Sequence, residues 1–264
     1  MNEAIKVPTM AEMMASGDSP DVLFWVGCSG SFDDRAKKIT KAIAKILAKA
    51  KVKFAVLGTE EGCTGDPAKR AGNEFLYQMQ AMMNIQVLDA YEIKKIVTGC
   101  PHCFNTIKNE YPDLGGNYEV VHHTQLIQSL IDEGRLTLQG GGEFKGKRIT
   151  FHDPCYLGRA NDEYEAPRSL LEKLDAELVE MKRCKSKGLC CGAGGAQMFK
   201  DAEPGNKEVN VERTEEALQE KPAVIATGCP FCNTMMTDGV KHFEKEGETQ
   251  VFDVAELIAK AADL

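Results

Sequence analysis

No stretch of this sequence stays apolar for the roughly 18 residues that a membrane-spanning helix needs. The opening Met1-Asn2-Glu3-Ala4-Ile5-Lys6 lacks the charged-then-apolar pattern of a secretion signal. Basic charge is scarce: 32 Lys and Arg stand against 40 Asp and Glu, a net charge of −8, with no basic block. Nucleic-acid binding needs such a block to neutralise phosphates, so that class is set aside. These absences point to a cytosolic chain without direct membrane insertion, held if at all at the inner face of a membrane through a partner subunit. Cytosolic thiols stay reduced, so the ten cysteines need an explanation other than disulfides. With 264 residues, 43% of them apolar, the chain can bury one large core or two smaller ones.

The cysteines repeat. The first set is Cys28, Cys63 and Cys100-Pro101-His102-Cys103; the second is Cys155, Cys190-Cys191-Gly192 and Cys229-Pro230-Phe231-Cys232. Cys28 to Cys63 and Cys155 to Cys190 are both steps of 35 residues, and the two Cys-Pro-x-Cys motifs lie 129 residues apart. Thiolates are soft ligands, and so regular a set suits iron–sulfur or zinc. The ends of the halves match as well: Val120 to Ile127 lies over Val251 to Ile258.

Strand-like runs alternate with helical ones. Asp21 to Gly27, Lys53 to Leu57, Ile93 to Thr98 and Tyr118 to Val121 read as strands, and so do Arg148 to Phe151, Ala176 to Met181, Ala223 to Thr227 and Val251 to Asp253. Helices are expected after Asp33-Asp34, from Pro67 to about Met82, after Pro101, over His123 to Ile131, Ala166 to Leu174 and Glu208 to Glu220, after Pro230, and over Val254 to Ala262. Residues 1–20 read as a polar tail, 21–139 and 148–264 as two cysteine-rich domains, and the glycine-rich 140–147 as the linker. The fold class is α/β: two pseudo-symmetric halves, each a mostly parallel sheet flanked by helices. Cys28, Cys100, Cys155 and Cys229 all follow strands, where open parallel sheets collect ligands.

Cys-x-x-Cys at a helix start can put two thiolates on one metal centre, with backbone N–H groups favouring the negative sulfur. The adjacent pair Cys190-Cys191 makes five thiols in the second set, more than one tetrahedral zinc uses. Cys155-x34-Cys190-Cys191-Gly192-x36-Cys229-x-x-Cys232 resembles the cysteine-rich CCG domain of heterodisulfide reductase and its relatives. Further segments, Cys63-Thr64-Gly65-Asp66-Pro67, Cys100 to Asn105 and His152 to Arg159, resemble the carboxy-terminal part of membrane-linked iron–sulfur oxidoreductases serving electron-transfer flavoprotein and menaquinone. The resemblance runs from Val22 to Leu257.

That resemblance implies a [4Fe–4S]-type cluster, a non-cubane one included, on Cys155, Cys190, Cys191, Cys229 and Cys232. Gly62-Cys63-Thr64 is read as standing where Cys-Cys-Gly would be, so Cys28, Cys63, Cys100 and Cys103 are left for a [4Fe–4S] cluster or zinc. The implied role is an oxidoreductase subunit relaying electrons from a flavoprotein (electron-transfer flavoprotein, for example) or ferredoxin-like donor to a membrane-bound, quinone-reducing iron–sulfur partner. The membrane segment and ferredoxin-type cysteines of the longer relatives are expected on that partner. Three rival readings are disulfide cleavage at the five-cysteine centre, a zinc-stabilised interaction module and a dithiol oxidoreductase.

Other candidates read more plainly. Cys184 lies outside the repeat, as a bystander. His102 takes the place of Phe231 and reads as packing, and His122-His123 as a strand-end cap; His152-Asp153 precede a ligand and read either as orienting it or as a turn with Asp153 satisfying backbone. The lysines of 37–53 read as a solvated helix face. Gly192 to Gly195 lack the lysine of a phosphate loop.

Overall fold

The computed structural model describes residues 5–201 and 204–264. Its strands are β1 (Val22–Trp25), β2 (Phe54–Ala55), β3 (Lys95–Thr98), β4 (Glu119–His122), β5 (Arg148–Phe151), β6 (Glu177–Leu178), β7 (Val224–Thr227) and β8 (Gln250–Asp253). They form two four-stranded sheets, ordered β2-β1-β3-β4 and β6-β5-β7-β8, and every pairing is parallel. The helices are α1 (Met10–Ala15), α2 (Gly27–Phe32), α3 (Ala36–Lys49), α4 (Asp66–Arg70), α5 (Glu74–Ala90), α6 (Pro101–Asn105), α7 (His123–Asp132), α8 (Gly158–Asn161), α9 (Glu165–Glu172), α10 (Val209–Gln219), α11 (Pro230–His242) and α12 (Val254–Ala261). The α/β reading with two pseudo-symmetric halves holds.

The period of two along the strands decides which core each side chain enters. Val22 and Phe24 of β1 join Ile149 and Phe151 of β5 in one core, which α3, α7, α9 and α12 fill between the sheets. Leu23 and Trp25 point the other way, onto Tyr77, Ala81, Ile85 and Leu88 of α5. Ile225 of β7 faces a smaller outer core with Met181, Ala217, Met236 and Val240. The spacing of Ile39, Ile43, Ile46 and Leu47 gives α3 the stripe it buries, while Lys38, Lys41 and Lys49 stay exposed on its other face. Asp33 caps that helix by accepting the Ala36 N–H at 2.7 Å. The segment 140–147 is packed: Phe144 is buried in the shared core, edge-on to Phe252 at 6.3 Å between ring centres.

Two expectations need correction. Residues 10–15 are helical, not a polar tail. Thr9 accepts the Glu12 N–H at 3.2 Å, Glu12 returns a bond to the Thr9 N–H at 2.9 Å, and Met10 and Met13 are buried. Six residues hold too few apolar positions for that period to show. Residues 1–4 of the expected tail lie outside the described residues. The helix expected from Pro67 is two helices, because Gly72 turns the chain at φ +85° and Asn73 then caps α5. The helix expected after Pro101 is present as α6 and continues as a π turn over Thr106–Glu110. No helix of the described residues is long and apolar enough to cross a membrane.

Candidate functional site

In each sheet the order reverses between the first and third strands, and the crevice at their carboxyl ends is where ligands bind in such folds. All nine repeated cysteines emerge there or from a neighbouring loop. β1 leads into α2 and puts Cys28 in its first turn. The turn before it is held by Glu61, which accepts the Val26 N–H at 3.0 Å and the Gly27 N–H at 2.5 Å. Burial pushes that carboxyl up to about 7. Gly27 sits at φ +78°, and a Cβ there would lie 3.4 Å from the Cys103 sulfur. β3 delivers Cys100 as the N-cap of α6, with Pro101 and Cys103 following. Cys63 comes from the loop after β2. Cys28, Cys63, Cys100 and Cys103 line one narrow pocket, together with Thr64 and Phe231.

The second half repeats the construction. Cys155 follows β5, Cys190 and Cys191 come from a loop, and Cys229 is the N-cap of α11, with Cys232 in its first turn. The Cys191 and Cys232 sulfurs are 3.3 Å apart. The two sets adjoin, because Cys100 and Cys103 are buried in the same cluster as Cys191, Cys229 and Cys232.

The protons are shared unequally. Cys28 holds Cys63 down to about 7 and is itself pushed up. Cys155, then Cys191, hold Cys190 well below the ordinary thiol range, and Cys190 pushes Cys191 up to about 12. Five of the nine sulfurs are buried. Ionising either set alone would crowd negative charge into a low-dielectric site, which a soft polynuclear cation neutralises. The donor set therefore fits an iron–sulfur group.

The backbone corrects the alignment of the two copies. Gly65 and Gly192 share φ near +90° (+90° and +91°), and their N–H groups point to Cys63 at 3.5 Å and Cys190 at 3.3 Å. Cys63-Thr64-Gly65, not Gly62-Cys63-Thr64, thus matches Cys190-Cys191-Gly192. Thr64 occupies the place of the fifth cysteine, its hydroxyl 3.9 Å from Cys103.

Residues 22–108 and 149–237 each match the cysteine-rich domain family CCG. The chain belongs to the CCG family. It is 46% identical over 257 residues to a probable iron–sulfur-binding oxidoreductase, FadF, of Bacillus subtilis, covering 97% of this chain and 36% of that protein. The EtfAB:quinone oxidoreductase of Syntrophomonas wolfei is 44% identical over 253 residues, covering 94% and 35%. One subunit of the dihydromethanophenazine:CoB–CoM heterodisulfide reductase of Methanosarcina barkeri is 31% identical over 258 residues, covering 94% and 60%. The chain thus spans about a third of the length of the first two.

Around the two CCG sites, polar side chains hold the loops. In the first copy, His102 Nδ1 meets Asp66 at 2.8 Å, and its ring packs on Tyr156 and Phe231 across the junction. Arg70 links Asp66 to Glu110. In the second, Asp153 accepts two bonds from Arg168, at 2.8 and 3.0 Å, and the Lys185 N–H at 2.7 Å, so it does satisfy backbone. His122 is the N-cap of α7, but its ring reaches across to the Gly228 carbonyl at 3.1 Å, beside Cys229. His123 does not cap; it crosses to Asp253 at 2.9 Å. Cys184 stands apart near Glu180 and Asp153. Glu61 and Asp66 have no composition or period signal, whereas the equal 35-residue steps from Cys28 to Cys63 and from Cys155 to Cys190 already set Thr64 opposite Cys191.

Proposed function

We propose that this chain is an iron–sulfur electron-transfer module with two centres, organised as the halves 21–139 and 148–264. Cys155, Cys190, Cys191, Cys229 and Cys232 would hold a five-thiolate [4Fe–4S]-type centre; Cys28, Cys63, Cys100 and Cys103 would hold a four-thiolate [4Fe–4S] cluster. Such groups accept and release single electrons. The observation that carries the reading is the burial of Cys100 and Cys103 in one cluster with Cys191, Cys229 and Cys232, because it brings the two thiol sets together. The chain's own residues supply ligation, burial and backbone N–H groups at Gly65 and Gly192.

The donor in this reading is a flavoprotein of the electron-transfer flavoprotein kind, and the acceptor is a quinone-reducing iron–sulfur subunit at the membrane. Both come from the relatives' names and from one surface. α5 buries Tyr77, Ala81, Asn84 and Leu88 but exposes Phe75, Met79, Met82 and Met83. A contiguous apolar face of this kind marks a contact site. Asn84, on the buried side, donates to the Cys63 carbonyl at 2.8 Å. A partner iron–sulfur subunit seated on α5 would stand one helix diameter, about 10 Å, from the first thiol set. Met79→Glu combined with Met83→Glu should reduce capture of that partner at least tenfold in pull-downs, leaving iron and sulfide per chain unchanged.

The test of the function is iron, sulfide and zinc per chain after anaerobic purification, with EPR spectra before and after reduction. Iron matched by sulfide and a reducible signal support it. Zinc without sulfide after anaerobic reconstitution overturns it in favour of an interaction module.

A further inference from the structure

His152 follows β5, three residues before Cys155, and is completely buried. One of its ring nitrogens and the sulfurs of Cys191 and Cys232 lie within 4.8 Å of one another. Histidine among cysteines at that spacing suggests a metal ligand. The opposite side of the ring argues for a different role.

Arg213 of α10 donates its Nε–H to His152 Nδ1 at 3.0 Å. The guanidinium is fully buried and fixed in turn, with Nη1 donating to the Arg183 carbonyl at 2.7 Å and to Glu216 at 3.0 Å. A guanidinium has donors and no acceptor, so Nδ1 must offer its lone pair. A neutral imidazole then carries its proton on Nε2. A cationic ring would carry a proton on Nδ1 as well, directly against the Arg213 donor. Nε2 is buried and has no hydrogen-bond partner among the described residues. An N–H left this way costs free energy unless something accepts from it.

The strand pairing supplies an independent comparison. Leu23 pairs with Ile96 in the first sheet and Thr150 with Ile225 in the second, so Trp25 holds the place of His152. Trp25 is also fully buried, and its Nε1 also lacks a partner among the described residues. An indole N–H can only donate; it cannot ligate a metal. Both copies thus bring a buried ring donor three residues before their first cysteine.

We propose that His152 is a positioning residue rather than a ligand: Arg213 fixes its tautomer, and Nε2–H donates a hydrogen bond to a sulfur of the second-half centre. Donors to cluster or thiolate sulfur stabilise the more negative, reduced state and so raise the potential. This rests on the electron-transfer reading above, but the tautomer is a property of the protein itself.

The experiment has two arms. Side-chain ¹⁵N NMR of the isolated protein, whatever metal it carries, should show His152 as the neutral Nε2–H tautomer, and Arg213→Met should release that single tautomer. An Nδ1–H tautomer or a cationic ring in the unsubstituted protein overturns the proposal. If iron and sulfide are absent, the electron-transfer reading falls while this arm still reads the lock. In the loaded protein, pulsed EPR with ¹⁵N-histidine should show a weak nitrogen coupling and a proton that exchanges in D₂O. A strong coupling typical of direct ligation overturns it. His152→Gln keeps a donor and should leave the midpoint nearly unchanged. His152→Met should lower it by about tenfold in the reduction equilibrium, 59 mV for one electron. Equal shifts in both variants overturn the donor role. If His152→Met fails to fold, the couplings in the unsubstituted protein decide.

Discussion

Cys191→Thr is expected to turn the second-half centre into a likeness of the first. Thr64 already stands at the matching position, after the same cysteine and before the same left-handed glycine. Threonine is close to cysteine in size, and position 191 is buried with Cys232 as its sulfur neighbour. The change therefore removes one sulfur without opening a large cavity. Anaerobic protein should lose the five-thiolate spectrum outright and retain four cysteines able to hold a cubane-type group. The converse change, Thr64→Cys, should add a second signal of the five-thiolate kind. EPR and Mössbauer spectra of both variants, with iron counts, are the measurement. A Cys191→Thr spectrum identical to the unsubstituted one would show that Cys191 is not a ligand.

His123→Leu is expected to be among the most destabilising single changes outside the thiols. His123 and Asp253 meet at 2.9 Å, both fully buried, one from each half. Leucine leaves the Asp253 carboxylate with the Ala255 N–H at 2.9 Å but without its partner across the junction. Removing one member of a buried polar pair costs about 3 kcal/mol, which for a chain of this size lowers Tm by roughly 6–12 °C. His123→Gln, which can still donate toward Asp253, should cost about half as much. Thermal unfolding of the isolated protein checks both, and a cost under about 1 kcal/mol for leucine would show that the pair does not clamp the halves.

The repeat is legible in the sequence because period two in the strands and fixed cysteine spacing are local signals. The flanking apolar runs alone put Cys28, Cys100, Cys155 and Cys229 at strand ends, and the structure has them there. The stripe Ile39, Ile43, Ile46, Leu47 likewise marks the buried face of α3. What stays hidden is non-local or set by the backbone. The break at Gly72 is one residue in a run otherwise suited to helix. The match of Thr64 to Cys191, by contrast, is implied by the equal 35-residue steps from Cys28 and Cys155, and the φ angles of Gly65 and Gly192 agree with it. His122 meets Gly228 across 106 positions, His123 meets Asp253 across 130, and Arg213 reaches His152 across 61. No pattern within a window of neighbours can report those contacts.

The helical layer between the sheets has a mechanical consequence. α3, α7, α9 and α12 fill one core shared by both halves, beneath the cluster that holds cysteines of both sets. Close-packed interiors yield in discrete steps rather than by gradual stretching. In the proposed electron-transfer reading, the gap between the two centres would therefore be a constant of the fold. Control over traffic would then fall to the outer ends, where a carrier would arrive and leave, and the chain would behave as a fixed length of wire between two switches.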